Sequence, residues 1–429
     1  MADTGLSRDQ IKLIGAGIIG NILEWYDFAV YGFFAHILAK QFFPSDDPTA
    51  SLIASYGAFA AGFLMRPIGG WLFGWIGDSI GRKRALMLSI GLMAVPSFLI
   101  GVLPTYAEWG VAAAVLLVLL RMMQGVAVGG EYTSSIVFLA EHAPGTRRAF
   151  FTCWALFGAT GGILLGSTVG AAISAMVSDA ALEAWGWRIP FISGVVVALV
   201  GYAIRRGIAE TSPEPKDDGK APVVEAVRHH WRSMAHILAL NVGFAVTFYT
   251  AFVYMVGWLV SNVHEARSEA LSINSLAMVL LAVIVPFAAM ASDRLGRRPG
   301  LIIGAALMVI LPYPLVSLMH HQNEAMVLIG QLSFAAIIAI FVGGLPATLC
   351  EAFPPHIRVT AVSISYNLCF AVFGGTSPMV ATWILSRSGS DISFAWYLSA
   401  MAAVSLVAAI LLKETAHKPL DATDGQEPV

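Results

Sequence analysis

Glu24, Asp27 and Tyr31 recur at helical spacing inside a stretch, residues 11–39, that is otherwise apolar and long enough to cross a bilayer. A carboxylate within a membrane is costly, and it marks a proton relay, an ion pair or a solute contact. Three further ionisable residues lie in mid-segment: Arg66, Arg121 and Glu131. A rise of about 1.5 Å per residue places Glu24 about 16 Å from the inner end of its segment, and Arg66 and Glu131 about 15 Å from theirs. Asp27 and Arg121 lie about 18 and about 16 Å from the outer ends. Three carboxylates thus face two guanidiniums, and one negative charge is left over. In low dielectric such a carboxyl takes up a proton, which is the property that proton-coupled transport requires. Glu131 is the first choice for the coupling site, because it follows Gly129 and Gly130 on a helix whose Arg121, Gln124 and Ser135 form one stripe. Asp27 is the second choice, and Glu24 completes the set. The alternative is two buried ion pairs plus a neutral carboxyl that serves helix packing.

A solute held beside these groups needs polar contacts from both halves of the chain. The first half offers Asn21, Tyr31, Arg66, Arg121 and Gln124, and the second offers Tyr249, Tyr254, Gln331, Tyr366 and Asn367. Arginine grips carboxylates through paired hydrogen bonds, so two membrane-embedded arginines favour a carboxylate-bearing solute. No metal or cofactor is expected besides the coupling proton. The pairs His229-His230 and His320-His321 lie near segment ends, and Cys153, Cys350 and Cys369 lack ligand spacing.

The elements that must position these residues are membrane spans. The chain of 429 residues is 57% hydrophobic and 12% charged. That charged fraction is about half the usual share in soluble proteins. Mean hydropathy is +0.75. Twelve apolar segments can be marked, near 13–39, 52–76, 85–104, 110–141, 150–177, 188–207, 233–261, 271–292, 300–319, 325–353, 360–387 and 393–413. The even-numbered loops and the two tails hold 19 of the 25 Lys and Arg. The positive-inside rule therefore puts both termini and the even loops in the cytoplasm. The polar stretch Pro213-Glu214-Pro215-Lys216-Asp217-Asp218-Gly219-Lys220 has a linker composition. It divides the chain into residues 1–207, a cytoplasmic linker 208–232, and residues 233–429 with a short cytoplasmic tail. Val223 to Arg232 could lie as an interfacial amphipathic helix.

Two motifs repeat between the halves. Gly74-x-x-x-Asp78-x-x-Gly81-Arg82-Lys83 is matched by Ala289-x-x-x-Asp293-x-x-Gly296-Arg297-Arg298, and the interval Glu141–Arg148 is matched by Glu351–Arg358. Their shared cytoplasmic location implies parallel repeats about an axis along the membrane normal. Asp78 and Asp293 stand at helix C-termini, where the helix dipole disfavours an acid. Each needs a nearby base or the N-terminus of another helix.

The loop from Gly74 to Arg84 resembles the signature loop of the major facilitator superfamily. Gly20-Asn21 with Glu24 and Asp27 is similar to its metabolite:proton symporter family. So are Phe63-Leu64-Met65-Arg66-Pro67-Ile68-Gly69-Gly70, Gln124-Gly125 with Gly129-Gly130-Glu131, Trp185-Gly186-Trp187-Arg188-Ile189-Pro190, and Glu351-x-Phe353-Pro354-x-x-Ile357-Arg358. The resemblance covers nearly the whole chain. It implies that Asp78 and Asp293 latch the cytoplasmic face, together with Gly74, Gly81, Arg82, Glu141, Arg148, Gly296, Arg297, Glu351 and Arg358. The tail after Glu414 shows no heptads, unlike the coiled coil of the family's osmosensing members.

The expected fold is an all-α polytopic membrane protein, with twelve transmembrane helices in two six-helix bundles (the major facilitator fold). The expected function is proton symport of a small mono- or dicarboxylate across the cytoplasmic (inner) membrane, by a monomer and by alternating access. A zwitterion such as proline or betaine is the runner-up solute, and a proton-independent facilitator is the alternative class. No nucleotide loop or nucleophile–base motif supports an enzyme, and nothing in the charge pattern points to nucleic acid.

Overall fold

The computed structural model describes residues 8–80, 82–205, 222–321 and 323–420. Among the described residues there is no strand, and twelve helical spans follow one another. The first is Arg8–Phe33, continued by Ala35–Phe42. The second is Pro48–Leu64 with Arg66–Ile80, and the third is Arg82–Val102. The fourth joins Val111–Val128 to Glu131–His142. The fifth is Arg148–Met176 and the sixth Arg188–Arg205. A short helix, Pro222–His229, precedes the seventh, Trp231–Val263. The eighth is Arg267–Leu295, and the ninth is Arg297–Ile310 with Pro312–Met319. The tenth joins Glu324–Val342 to Leu345–Glu351. The last two are Arg358–Ser388 and Phe394–Leu411. Each of the twelve segments expected from hydropathy corresponds to one span.

Glycine and proline explain most of the interruptions. Pro67 has no N–H to return to the Phe63 carbonyl, and the second span parts at Met65 just before it. Pro312 follows the 51° bend of the ninth span in the same way. The fourth span breaks at Gly129-Gly130 and the tenth at Gly343-Gly344. These are equivalent places in the two halves, the pattern that points to a site between repeats. The seventh span widens into π turns at Thr250–Tyr254 and Leu259–Val263, and the eleventh at Phe370–Gly374. Such turns leave backbone carbonyls without their usual partner. Gln331 Nε2 supplies one to Ala251 O at 2.6 Å.

The spans pack as two six-helix bundles, drawn together by small residues that let backbones approach. Gly158 and Gly162 of the fifth span leave no room for a Cβ against the carbonyls of Ile18 and Ile22. Gly125 and Gly129 of the fourth press on the backbone of Gly62 and Arg66 in the second. In the second bundle Gly243 meets Ala402, and Gly304 meets Phe341. The seventh span is buried along nearly its whole length. It forms the wall of the second bundle that faces the first, through the contacts of Val253 with Gly32 and of Tyr249 with Trp25.

Candidate functional site

Arg66 is the polar centre of the molecule. The break at Met65 and the glycine crossing on the fourth span bring its backbone against Gly129. Its side chain then projects to where the bundles meet. The guanidinium carbon stands 5.4 Å from the ring centres of Trp25 and Phe63, and 5.7 Å from those of Tyr366 and Phe370. The first two rings belong to the first bundle and the last two to the second. Tyr132 closes the ring set, 6.1 Å from Trp25 and 5.0 Å from Tyr366. Tyr249 lies 4.9 Å from Phe63 and 6.0 Å from Phe370. The Arg66 side chain is 1% exposed, and its three guanidinium nitrogens have no hydrogen-bond partner among the described residues. The Tyr249 hydroxyl is the polar group near enough to act on it, although the pair falls outside strict hydrogen-bond geometry.

Arg121 sits apart, inside the first bundle. It lies over Phe28 and Tyr31 at 4.3 and 4.4 Å, and Nη1 donates to Gln124 Oε1 at 2.7 Å. Gln124 Nε2 donates to Ser97 Oγ at 2.7 Å. Ser97 and Arg121 are the polar groups that act on the buried Asp27 carboxyl. That carboxyl leans on the sixth-span backbone at Gly194, where a Cβ would collide with it. Arg121, Gln124 and Ser97 therefore form one hydrogen-bonded chain near Asp27, separate from the Arg66 cage. Glu24 is buried beside Trp25, and Glu131 opens the second half of the fourth span beside Tyr132.

The other expected solute contacts divide by partner. Tyr366 and Tyr249 belong to the cage. Asn21 Nδ2 donates to Ser135 Oγ at 3.2 Å, tying the first span to the fourth. Tyr31 OH donates to the Ser55 carbonyl at 3.0 Å. Asn367 Nδ2 donates to Gly129 O at 2.7 Å, so it serves the carbonyl at the fourth-span break from the other bundle. Gln331 also reaches Asn274 Oδ1 at 3.3 Å, and Tyr254 packs on Phe394 and Tyr56, away from Arg66. Trp25, Phe63, Tyr132 and Phe370 are the cage residues that sequence reasoning passed over. The signal was the position of Trp25 next to Glu24, and of Phe63 three residues before Arg66.

The basic-loop face is latched across the bundles. Asp293 accepts from the backbone N–H groups of Ala149 and Phe150 at 2.9 Å each, and from Arg297 Nη1 at 2.9 Å. The acid at one helix C-terminus is thus met by both a base and another helix's N-terminus. The repeated Glu–Arg pairs exchange partners between bundles. Arg148 bonds Glu351 at 2.6 Å, and Arg358 bonds Glu141 at 2.9 Å. Arg297 joins through Glu351 at 2.9 Å. Residues after the last span complete the network. Thr415 Oγ1 bonds Glu351 at 2.6 Å, Lys418 O accepts from Arg148, and Leu420 O accepts from Arg358. Glu414 accepts the backbone N–H groups of Arg297 and Arg298. Gly296 is not a close-packing glycine: its φ is +101°, a turn conformation, and a Cβ there would stand 2.5 Å from Glu414. Gly81 and the side chains of Gly74, Asp78 and Arg82 lie outside the described residues.

The opposite face is closed as well. Arg267 Nη1 reaches Phe33 O at 3.1 Å, Ser261 meets His36 at 3.1 Å, and Ser167 Oγ donates to Leu271 O at 2.9 Å. The two bundles are therefore joined by hydrogen bonds on both sides of the cage.

The family model described as sugar (and other) transporter matches residues 14–214 and 214–425. A glycine betaine/proline/ectoine/pipecolic acid transporter of Dickeya dadantii is 36% identical over 423 residues, covering 95% of this chain and 84% of that one. An alpha-ketoglutarate permease of Escherichia coli is 35% identical over 408 residues, covering 95% and 94%. The crystal structure of a D-xylose–proton symporter superposes with a TM-score of 0.74 at 22% identity, covering 96% and 99% of the two chains. At that identity the likeness shows a shared fold, the major facilitator fold.

Proposed function

Because the chain belongs to the sugar (and other) transporter family, we propose that it is a proton-coupled symporter of a small zwitterion bearing a carboxylate and a substituted ammonium. The observation that carries this reading is Arg66, buried where the bundles meet and surrounded by rings from both. Its unbonded donors suit a carboxylate. The ring faces suit a cation. A solute with both charges uses both halves of the cage, whereas an organic acid uses one. The expectation from sequence placed the organic acid first. The geometry and the betaine- and proline-carrying relatives favour the zwitterion, and the alpha-ketoglutarate relative keeps the organic acid as the second reading.

Asp27, Glu24 and Glu131 supply the candidates for proton coupling, and the arrangement around Asp27 gives that residue a stronger claim than its charge count did. Ser97 and Arg121 beside it offer an alternative partner for each protonation state. The basic-loop face is read as cytoplasmic, with both termini on that side. One chain holds a complete cage, so a monomer suffices. Rocking of the bundles would break the latch while the opposite face stays shut, then the reverse.

Membrane vesicles or proteoliposomes with an imposed pH gradient test this reading. Labelled glycine betaine and proline should accumulate against a gradient, and an uncoupler should abolish accumulation. Accumulation of α-ketoglutarate instead would favour the second reading, and uncoupler-insensitive uptake would favour a facilitator. If Glu131→Gln, Asp27→Asn and Glu24→Gln all retain gradient-driven accumulation, the coupling assignment is wrong.

A further inference from the structure

The two mid-span arginines are held differently. Arg121 is stacked tightly between rings and fastened to Gln124. Arg66 stands farther from all four of its rings, and none of its three guanidinium nitrogens is bonded among the described residues. A buried guanidinium with unmet donors is an unfavourable arrangement that ring faces only partly offset. Trp25 and Phe63 stand at 5.4 Å, and the Tyr366–Phe370 stack at 5.7 Å, so the guanidinium is in close stacking contact with none of them.

Resting on the zwitterion reading above, we propose that the Arg66 guanidinium occupies the site of its own substrate's cation. The substrate's carboxylate draws the guanidinium out of the cage by a two-pronged hydrogen-bonded pair. The methylated ammonium then takes the vacated place among Trp25, Phe63, Tyr366 and Phe370. Charge in the cage is conserved, since one cation leaves as another arrives. No bond is made or broken and no proton moves. The exchange explains how one small enclosure can serve both charges of a zwitterion whose carboxylate and ammonium are only a methylene apart. It also sets selectivity. A lone cation must compete with Arg66, and a lone anion leaves the ring faces without a cation. Two walls of the cage come from each bundle, so the incoming cation bridges the halves that must move.

Three probes separate the parts: glycine betaine, tetramethylammonium, and 3,3-dimethylbutanoate, which keeps the carboxylate and shape of betaine with a carbon in place of the nitrogen. Binding is read by calorimetry or thermal shift on purified full-length protein. The native protein should bind glycine betaine and exclude tetramethylammonium. Arg66→Met should lose glycine betaine and bind tetramethylammonium at least about tenfold better than the native protein does. In the native Arg66 background, Phe370→Leu should weaken glycine betaine about tenfold and leave 3,3-dimethylbutanoate unchanged. This second variant keeps the test open should Arg66→Met fail to fold. If native protein binds glycine betaine but Arg66→Met gains no tetramethylammonium, or Phe370→Leu leaves betaine binding unchanged, the exchange is wrong and the substrate reading stands. If native protein neither binds nor accumulates glycine betaine, the substrate reading falls and the exchange with it.

Discussion

At the scale of single residues, the contrast between Arg66 and Arg121 could not be read from their equivalent depths in the chain. Both were expected near the mid-segment carboxylates. The fold gives Arg121 a bonded partner and close rings, and leaves Arg66 in a wider cage. Aromatic residues are too common in this chain, with 24 Phe, 11 Tyr and 11 Trp, for four of them to announce a cage. Glu414 was passed over for a different reason, because nothing about an acid in a tail shows which helix end it will cap. Burial raises its carboxyl, but hydrogen bonds from the backbone N–H groups of Arg297, Ala416, Arg298 and Thr415 outweigh that and hold it below the ordinary value of 4.5. A lowered carboxyl stabilises the docked tail above that ordinary value, and the contribution is lost as pH falls through the lower, docked-state value. Protection of the Arg297 and Arg298 amides, taken as exchange relative to the intrinsic rate at each pH, should therefore fall on acidification below pH 4.5. Glu414→Gln should lower that protection at neutral pH and remove its dependence on acid. Unchanged exchange in that variant would show that the carboxylate does not hold the tail.

At the scale of elements, the second and fourth spans cross where Gly125 and Gly129 meet the backbone of Gly62 and Arg66. This crossing aims Arg66 at the cage, and the break at Gly129-Gly130 puts Glu131 at the start of the second half of the fourth span. The Gly129-Gly130 pair was visible in the sequence, but its partner was not, because a glycine reports only that something comes close. Gly125→Val should force the helices apart at a cost of about 1–3 kcal/mol, read as a lowered thermal midpoint. It should also weaken solute binding, through displacement of Arg66. A destabilised protein that binds solute normally would separate the crossing from the site. The matching break at Gly343-Gly344 is followed by Leu345 where the first half has Glu131. The repeat therefore keeps its hinges in both halves and its mid-segment charge in one.

At the scale of the whole molecule, the latch is a set of exchanged pairs. Each Glu and Arg of the repeated motif finds its partner in the other bundle. Glu351 is shared by Arg148, Arg297 and Thr415. Removing the charge of one member of so buried a network costs about 3–5 kcal/mol, which is enough to shift a two-state equilibrium strongly. Glu351→Gln should therefore favour opening at the basic-loop face. Cys153, buried at that end of the fifth span, is a native reporter. With Cys350 and Cys369 replaced by Ala, its maleimide labelling should be slow in the otherwise native protein. It should be about a hundredfold faster in Glu351→Gln. Equal rates would mean that the network does not hold the face shut.

The twelve spans and the membrane setting were legible in the sequence because bilayer thickness fixes segment length and a buried charge stands out in an apolar run. Glu141, Arg148, Asp293, Arg297, Glu351 and Arg358 stood out because a motif that occurs twice at one spacing draws attention to both copies, and their role as a latch came from the family resemblance. Asp293 even showed the kind of partner it lacked, since an acid at a helix C-terminus demands compensation. Which helix supplied that partner, how the Glu–Arg pairs crossed, and how the tail joined them were decided by tertiary structure. Those contacts link residues far apart in the chain, and no local pattern encodes their distance. The same holds for the cage. Local sequence puts Arg66 beside a proline break, but only the meeting of two bundles brings Trp25 and Phe63 opposite Tyr366 and Phe370 and turns a buried arginine into the centre of a site.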